Sequence, residues 1–448
     1  MSRHALQRNP GLFGFLLLSV LSSPLALADA LPQRLTADDF LPQNKTEAKL
    51  GQLLFYDKIL SGNKNISCGT CHHHEFFGSD GLSLGIGEGG VGLGPERTGG
   101  TGASRIKRRI PRNAPALWNL GAKEIKVLFH DGRLTPSDLY DSGFNSPAEE
   151  RLPDGLSGLL AAQAMFPLTA RFEMAGDPEE NSVARASFDR IDHVWPIITK
   201  RIQANPEYVD KFIKTFDHID AAGDIHIVDI ANALGAFIGL EWQSFDSPFD
   251  DYLAGNSNAM SPAQTRGMRL FYGVAGCSAC HSGPLLTDQK FHALALPPYG
   301  PGRTRLFDLL PRDMGHLNES DDLLDRYRFR TPSLRNVELT SPYGHNGAYR
   351  ELTRMVEHHL NPLDALSRWT MADASMPDVP WLVASDLLIQ DDVREMLRYK
   401  NKVDIKAKTL EPQAISDLVE FLHALTGKTV RETPLGRPDA VPSGLSVD

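Results

Sequence analysis

Residues 67–74 read Ser-Cys-Gly-Thr-Cys-His-His-His, and Cys277-Ser278-Ala279-Cys280-His281 repeats the centre of that pattern. The chain has 4 cysteines, so the two motifs contain all of them. Cys-x-x-Cys-His is the attachment signature of a c-type haem: two thiols add to the vinyl groups and the next imidazole turns onto the iron. A zinc ribbon also uses two Cys-x-x-Cys pairs, but they lie roughly 15–20 residues apart; here about half the chain separates them. A thioredoxin-like redox pair needs a βαβ setting and no histidine after it. The spacing therefore predicts two covalent haems, one on Cys68, Cys71 and His72, the other on Cys277, Cys280 and His281. Adjacency selects His72; His73 and His74 are expected to face solvent or a propionate.

These motifs need scaffolds. Leu50, Leu53, Leu54 and Ile59 form a helical stripe over 46–60, just before the first motif. Residues 261–273 do the same before the second, with Ser261 as N-cap, Pro262 in the first turn and Gly273 as a stop. Each motif thus follows a helix, which implies two related modules. Residues 195–216, 225–243 and 412–427 also carry helical patterns, and no run of alternating strands is present. The expected fold is mostly α, with two c-type cytochrome-like domains, 29–245 and 246–428, each holding one haem, plus long connecting loops and a tail, 429–448. The glycine-rich stretch 81–104 and the polar stretch 134–162 read as loops, either plain surface or a cover and docking face near the first haem.

Arg3 and Arg8 precede an apolar run that closes on Ala26-Leu27-Ala28. That is a secretory signal, predicted to be cleaved after Ala28, which implies a periplasmic protein. The run is too short, and too broken by Ser22, Ser23 and Pro24, to read as an anchor. No other stretch could span a bilayer. The net charge of −10 argues against a nucleic-acid partner and weakly favours a basic one.

Four further blocks, 111–119 (PRNAPALWN), 129–133 (FHDGR), 172–174 (FEM) and 330–347 (RTPSLRNVELTSPYGHNG), resemble the bacterial di-haem cytochrome c peroxidase and MauG family, in the family's order over about residues 45–360. The resemblance implies that the N-terminal haem meets hydrogen peroxide. It implies a glutamate beside that haem, ten residues after a glutamine; Glu173 and Gln163 have this offset. A carboxylate there can move a proton between the peroxide oxygens, and the amide can hold the peroxide or a water. Spacing alone favours a surface carboxylate and a helix-surface amide; the family blocks on both sides favour the functional pair. The resemblance also implies a calcium ion between the domains, on Asn113 and the main-chain carbonyls of Thr340 and Pro342, a donor set that suits it. Arg133, Arg330 and Arg335 are candidate partners for haem propionates, with structural roles as the alternative.

Three positions depart from the family's peroxidases. Where they keep a distal histidine after the first motif, this chain has Glu88, a poorer iron ligand, so haem 1 is expected to be open without prior reduction. The distal ligand of the second haem lies fourteen residues after the histidine of the P-Y-x-H block; counting from His345 gives His359, where relatives place methionine or tyrosine, with Met355 and His358 as alternatives. A second imidazole donates more strongly than methionine, favouring a haem that shares oxidising equivalents. His130 stands where tryptophan usually relays electrons between the haems; imidazole is harder to oxidise, so the route passes it, or uses Trp118, or His130 simply packs against a propionate.

These features imply a periplasmic di-haem oxidoreductase of the MauG-like branch, using hydrogen peroxide to oxidise a protein partner. The alternatives are a cytochrome c peroxidase fed by a small electron-donor protein and a non-catalytic di-haem carrier. A high-spin resting haem would exclude the carrier.

Overall fold

The structure is a computed structural model that describes residues 31–102, 105–304 and 310–448. The leader and its cleavage site lie outside the described residues. Helices dominate, and the only sheets among the described residues are two pairs of two-residue antiparallel strands. None of the described helices is long and apolar enough to cross a membrane.

Six helices position the two motifs: α1 (Lys45–Tyr56), α2 (Leu159–Ala164), α3 (Ile227–Glu241), α4 (Pro262–Tyr272), α5 (Leu352–Leu360) and α6 (Pro412–His423). Asn44 caps α1, accepting from the Thr46 N–H at 2.8 Å. Ser261 and Gln264 cap α4 reciprocally, at 3.2 and 2.9 Å. The pattern over 195–216 resolves into two helices, Val194–Gln203 and Pro206–Thr215. Asn205 caps the second, and Pro206 has no N–H with which to continue the first.

The helix before each motif packs tightly on the last helix of its module, α1 on α3 and α4 on α6. Gly51 permits the first contact: a Cβ there would run into the Ala233 carbonyl and the Phe237 side chain. Gly267 permits the second, against the Asp417 carbonyl and Phe421. In both, the obstructing pair is four residues apart on the partner helix, so the two modules repeat one packing device. Two main core clusters form. One runs from Leu35 to Trp242 and adds Leu285 and Val441; the other gathers Phe249, Met268, Phe271, Leu418 and Phe421.

The segment 429–448, expected as a tail, folds back onto the first core. Ser443 Oγ donates to Asp57 at 2.6 Å, and the N–H groups of Leu435 and Gly436 donate to Glu241 at 2.9 and 2.6 Å. The physical reason is Glu241: buried at the end of α3, its carboxylate needs donors, and the returning chain supplies two. The stretch 134–162 contains a short hairpin, Thr135–Pro136 with Phe144–Asn145, before α2 begins.

Candidate haem sites

Hydrogen bonds separate the three consecutive histidines. His73 Nε2–H donates to the Asp448 carbonyl (3.2 Å), and its Nδ1 accepts from the Glu75 N–H (3.2 Å). His74 accepts from the Tyr56 hydroxyl and donates to Glu241 at 2.8 Å, between the Tyr56 and Trp242 rings. Neither faces solvent freely, as the sequence suggested; both ring nitrogens of each are committed to the N-terminal module. His72 differs. Its Nδ1–H donates to the Gly78 carbonyl at 3.0 Å, which fixes the tautomer with the lone pair on Nε2. His281 repeats this with the Leu286 carbonyl at 3.1 Å. Burial holds the His72 imidazole below its ordinary pKa and the His281 imidazole down at about 4, so both are neutral, as metal binding requires. Cys68, Cys71, Cys277 and Cys280 are all unpaired and half-buried.

His359 closes the second site. It lies on the last turn of α5, and its Nδ1–H donates to the Met355 carbonyl at 2.9 Å. Its ring faces that of His281, centre to centre 6.2 Å, with the planes at 57°. Two imidazoles sharing one metal, at about 2 Å per bond, place their centres roughly 6 Å apart. The donor set and spacing therefore fit an iron between them. His358 points elsewhere and is buried with both nitrogens engaged. Met355 packs in an apolar cluster with Leu84 and Tyr349.

The first site is built differently. Glu173 sits on a π-helical turn, Arg171–Ala175, with Ala175 N–H donating to the Ala170 carbonyl at 3.0 Å. Such turns recur at functional sites. Its carboxylate makes no hydrogen bond or ion pair among the described residues. Burial raises its pKa, while Arg133 and Arg303 oppose the rise. It is close enough to Cys71 to act electrostatically on that thiol. Gln163, on α2, is half-buried, and its amide likewise has no partner among the described residues. A short turn, Pro167–Thr169, packs against both elements. The glycine-rich loop docks on the Glu173 turn: Glu88 N–H donates to the Glu173 carbonyl at 2.9 Å, and Gly87 leaves no room there for a Cβ. The Glu88 carboxylate accepts from the amides of Asn63 and Asn65 at 2.8 and 2.7 Å.

The three candidate arginines diverge. Arg330 is half-buried, desolvation lowers its pKa to about 10, and among the described residues its guanidinium donates only to the carbonyls of Phe129 (3.1 Å) and Thr331 (3.3 Å). A desolvated guanidinium with no carboxylate calls for an anion, and a propionate fits. Arg133 lies over the Phe129 ring at 3.7 Å and pairs with Asp131 at 3.1 Å. Arg335 does not meet the expectation. It pairs with buried Asp250 at 2.6 Å and donates to the Pro284 carbonyl at 2.9 and 2.7 Å, so its fork is already filled.

Asn113 knots the modules together. Its N–H donates to the His345 carbonyl at 2.9 Å, its carbonyl accepts from His130 Nε2–H at 3.1 Å, and its Nδ2 donates to Leu82 at 2.8 Å. Oδ1 is left as an acceptor. Among the described residues the carbonyls of Thr340 and Pro342 accept no hydrogen bond either. Burial and nearby Arg112 hold His130 down at about 4, a neutral ring. Two buried acids were missed in the sequence. Asp80 has its pKa pushed up to about 7 by burial, and Asp131 is ringed by arginines. The adjacency of Asp131 to His130 was the available signal for the second.

The family described as "Di-haem cytochrome c peroxidase" matches residues 45–258. The chain is 28% identical to the cytochrome c551 peroxidase of Pseudomonas aeruginosa, over 94% of both chains. It is 28% identical to the methylamine utilization protein MauG of Methylorubrum extorquens, over 71% of this chain and 70% of the other. Among solved structures it resembles a MauG-like protein associated with microbial copper homeostasis, at TM-score 0.55 and 25% identity, covering 91% of this chain and 96% of that one. The diheme peroxidase BthA of Burkholderia thailandensis shares the fold at TM-score 0.55 and 20% identity, over 93% and 94% of the two chains.

Proposed function

This chain belongs to the di-haem cytochrome c peroxidase and MauG family of peroxide-dependent oxidoreductases, and from that membership we propose a periplasmic enzyme that takes peroxide at its N-terminal haem and oxidises a protein partner, in the MauG manner. The proposal includes the division into haem modules at 29–245 and 246–428, which the two main core clusters support, although Leu285 of the second module joins the first. Cys68 and Cys71 would anchor the first haem, with His72 as an iron ligand; Cys277 and Cys280 would anchor the second, with His281 and His359 as candidate iron ligands. Arg330 meets a propionate. Asn113, Thr340 and Pro342 hold calcium between the modules.

The haems, when bound, supply the iron that binds peroxide and the electrons that reduce it. The chain supplies the proton handling. Glu173, without a protein partner, takes the proton from one peroxide oxygen and returns it to the other, so that the second oxygen leaves as water. The Gln163 amide orients the peroxide. The engagement of Glu88 by Asn63 and Asn65 keeps that carboxylate occupied where peroxidases of the family present a ligand.

One observation carries the MauG-like reading: His359 faces His281. A haem between two imidazoles is harder to keep reduced than one with methionine, which suits sharing of oxidising equivalents. The test is to mix the resting, fully oxidised protein with hydrogen peroxide. Prompt spectral change without a reductant is expected, and Glu173→Gln should slow it by about 10²–10⁴-fold. A requirement for prior reduction would overturn this reading. It would favour instead a cytochrome c peroxidase fed by a small carrier protein, the reading suggested by the near-full-length alignment with the cytochrome c551 peroxidase.

A further inference from the structure

The glycine-rich loop that docks on the Glu173 turn is costly to hold still, because glycine loses more backbone freedom on ordering than any other residue. Arg97 supplies much of what holds it. Its side chain is buried and pairs with no carboxylate among the described residues. It donates instead to three main-chain carbonyls of its own loop: Nε to Ile86 at 2.8 Å, Nη2 to Gly87 at 2.9 Å and Nη1 to Gly92 at 2.7 Å. A rigid planar fork fixes the spacing of the carbonyls it binds. Ile86 is pinned further in a small core with Ile106 and Val379.

The edge that Arg97 fixes is the edge that meets the turn. Gly87 lies so close to the Phe172 carbonyl that a Cβ would overlap it. The next residue, Glu88, joins three segments. Its N–H donates to the Glu173 carbonyl at 2.9 Å, and its Oε1 accepts from Asn63 Nδ2 at 2.8 Å and Asn65 Nδ2 at 2.7 Å. Asn63 Oδ1 accepts from Asn181 Nδ2 at 2.9 Å, and the same Nδ2 donates to the Ala175 carbonyl at 2.9 Å, at the far end of the turn. The Met174 carbonyl accepts from the Gly62 N–H at 2.7 Å. The carbonyls of Glu173, Met174 and Ala175 thus take donors from three different segments, and Glu88 and Asn63 close the hydrogen bonds into a ring. Away from the loop, the Phe172 ring is flanked by the guanidiniums of Arg171 and Arg108, 5.0 and 5.6 Å from its centre.

We propose that Glu88 and Arg97 are positioning residues: they lock the glycine-rich loop to the turn that carries Glu173, so that loop and turn keep one conformation whether the protein is oxidised or reduced. None of the groups in the ring belongs to a Cys-x-x-Cys-His motif, so a change of charge at the iron breaks none of these hydrogen bonds directly. Glu88 acts through its N–H and one side-chain oxygen, not through its charge. The proposal deepens the reading of Glu173 as the base and rests on it for the catalytic consequence. A base must lie within hydrogen-bond reach of the proton it takes, and a carboxylate on a fixed turn needs no rearrangement to get there.

The test is hydrogen exchange of the holoprotein, read by mass over residues 85–92 and 171–176 in resting and fully reduced samples. Both segments should exchange slowly, and equally in the two samples. Glu88→Ala removes the acceptor for two amides and should speed exchange in both segments by about tenfold, whereas Glu88→Gln keeps the oxygen and should restore protection. The contacts of Phe172 with Arg108 and Arg171, and of Met174 with Gly62, remain in both variants, so the turn still folds. The rate of reaction with hydrogen peroxide should fall in Glu88→Ala and recover in Glu88→Gln. Exchange that differs between resting and reduced wild type, or that Glu88→Ala leaves unmoved, overturns the lock. A wild-type peroxide rate in Glu88→Ala with both segments loosened overturns the positioning role. A wild-type rate in Glu173→Gln removes the base, and the exchange result still decides the lock.

Discussion

The Tyr349 hydroxyl donates to Nδ1 of His358 across 2.9 Å, while Nε2–H of the same ring donates to the Leu294 carbonyl at 2.8 Å. Two elements hold the ring, so its replacing His359 would break two buried hydrogen bonds, each worth about 1 kcal/mol and more if a group is left unpaired. His359→Ala is therefore expected to turn the low-spin signal of the second haem high-spin in electron paramagnetic resonance. His358→Ala should leave that signal in place and lower stability. A low-spin spectrum untouched by His359→Ala would remove His359 as the ligand.

Gly51 and Gly267 let two helix pairs approach to backbone contact. An added methyl must push the helices apart, at roughly 1–3 kcal/mol and more if the backbone cannot give. Gly51→Ala should lower the thermal midpoint of the N-terminal module, and Gly267→Ala that of the C-terminal one. Calorimetry with each haem's own absorbance as the local probe distinguishes the two. Unchanged midpoints would mean that the packing is looser than the structure shows.

Asp80 is buried, with the Leu82 N–H at 3.0 Å on one oxygen, and burial pushes its pKa up to about 7. An unfolded aspartate titrates near 3.9. Between those values the folded chain keeps a proton that the unfolded chain has lost. The stabilisation is thus complete below about pH 4 and lost as pH rises through about 7. Asp80→Asn removes this dependence. It should be more stable than wild type at pH 8, by up to ~4 kcal/mol, and little different at pH 4.5. Denaturant titrations at the two pH values check the sign; an equal gap at both would refute it.

Much of the haem chemistry was legible because covalent attachment demands local spacing. Cys68, Cys71, His72 and their counterparts are neighbours in sequence, and the helix before each motif is a short-range pattern. The offset from His345 pointed to His359 but left Met355 and His358 open. All three lie on one short helix, and only the tertiary partners of His358 and the facing ring of His281 separate them. Arg335 was read from the 330–347 block as a propionate partner, and the sequence could not show that Asp250, 85 residues away in sequence, pairs with it. The cluster on Asp131 joins four residues from three distant segments, and nothing in the spacing of the charges announces it.

The contact of 429–448 with the first module has a consequence for the order of assembly. Ser443 and Asp57 are 386 residues apart, and Thr70, inside the first haem motif, hydrogen-bonds with Asp448. As the chain is made the first module emerges early, yet the strap that contacts its motif arrives only after nearly all of the chain. Closing so long a loop is slow, because its entropy is lost before its contacts form. The first motif therefore stays uncovered while the second module is still arriving, which leaves an interval in which it is accessible. A chain ending at residue 428 is expected to carry both haems by mass and to lose stability chiefly around the first.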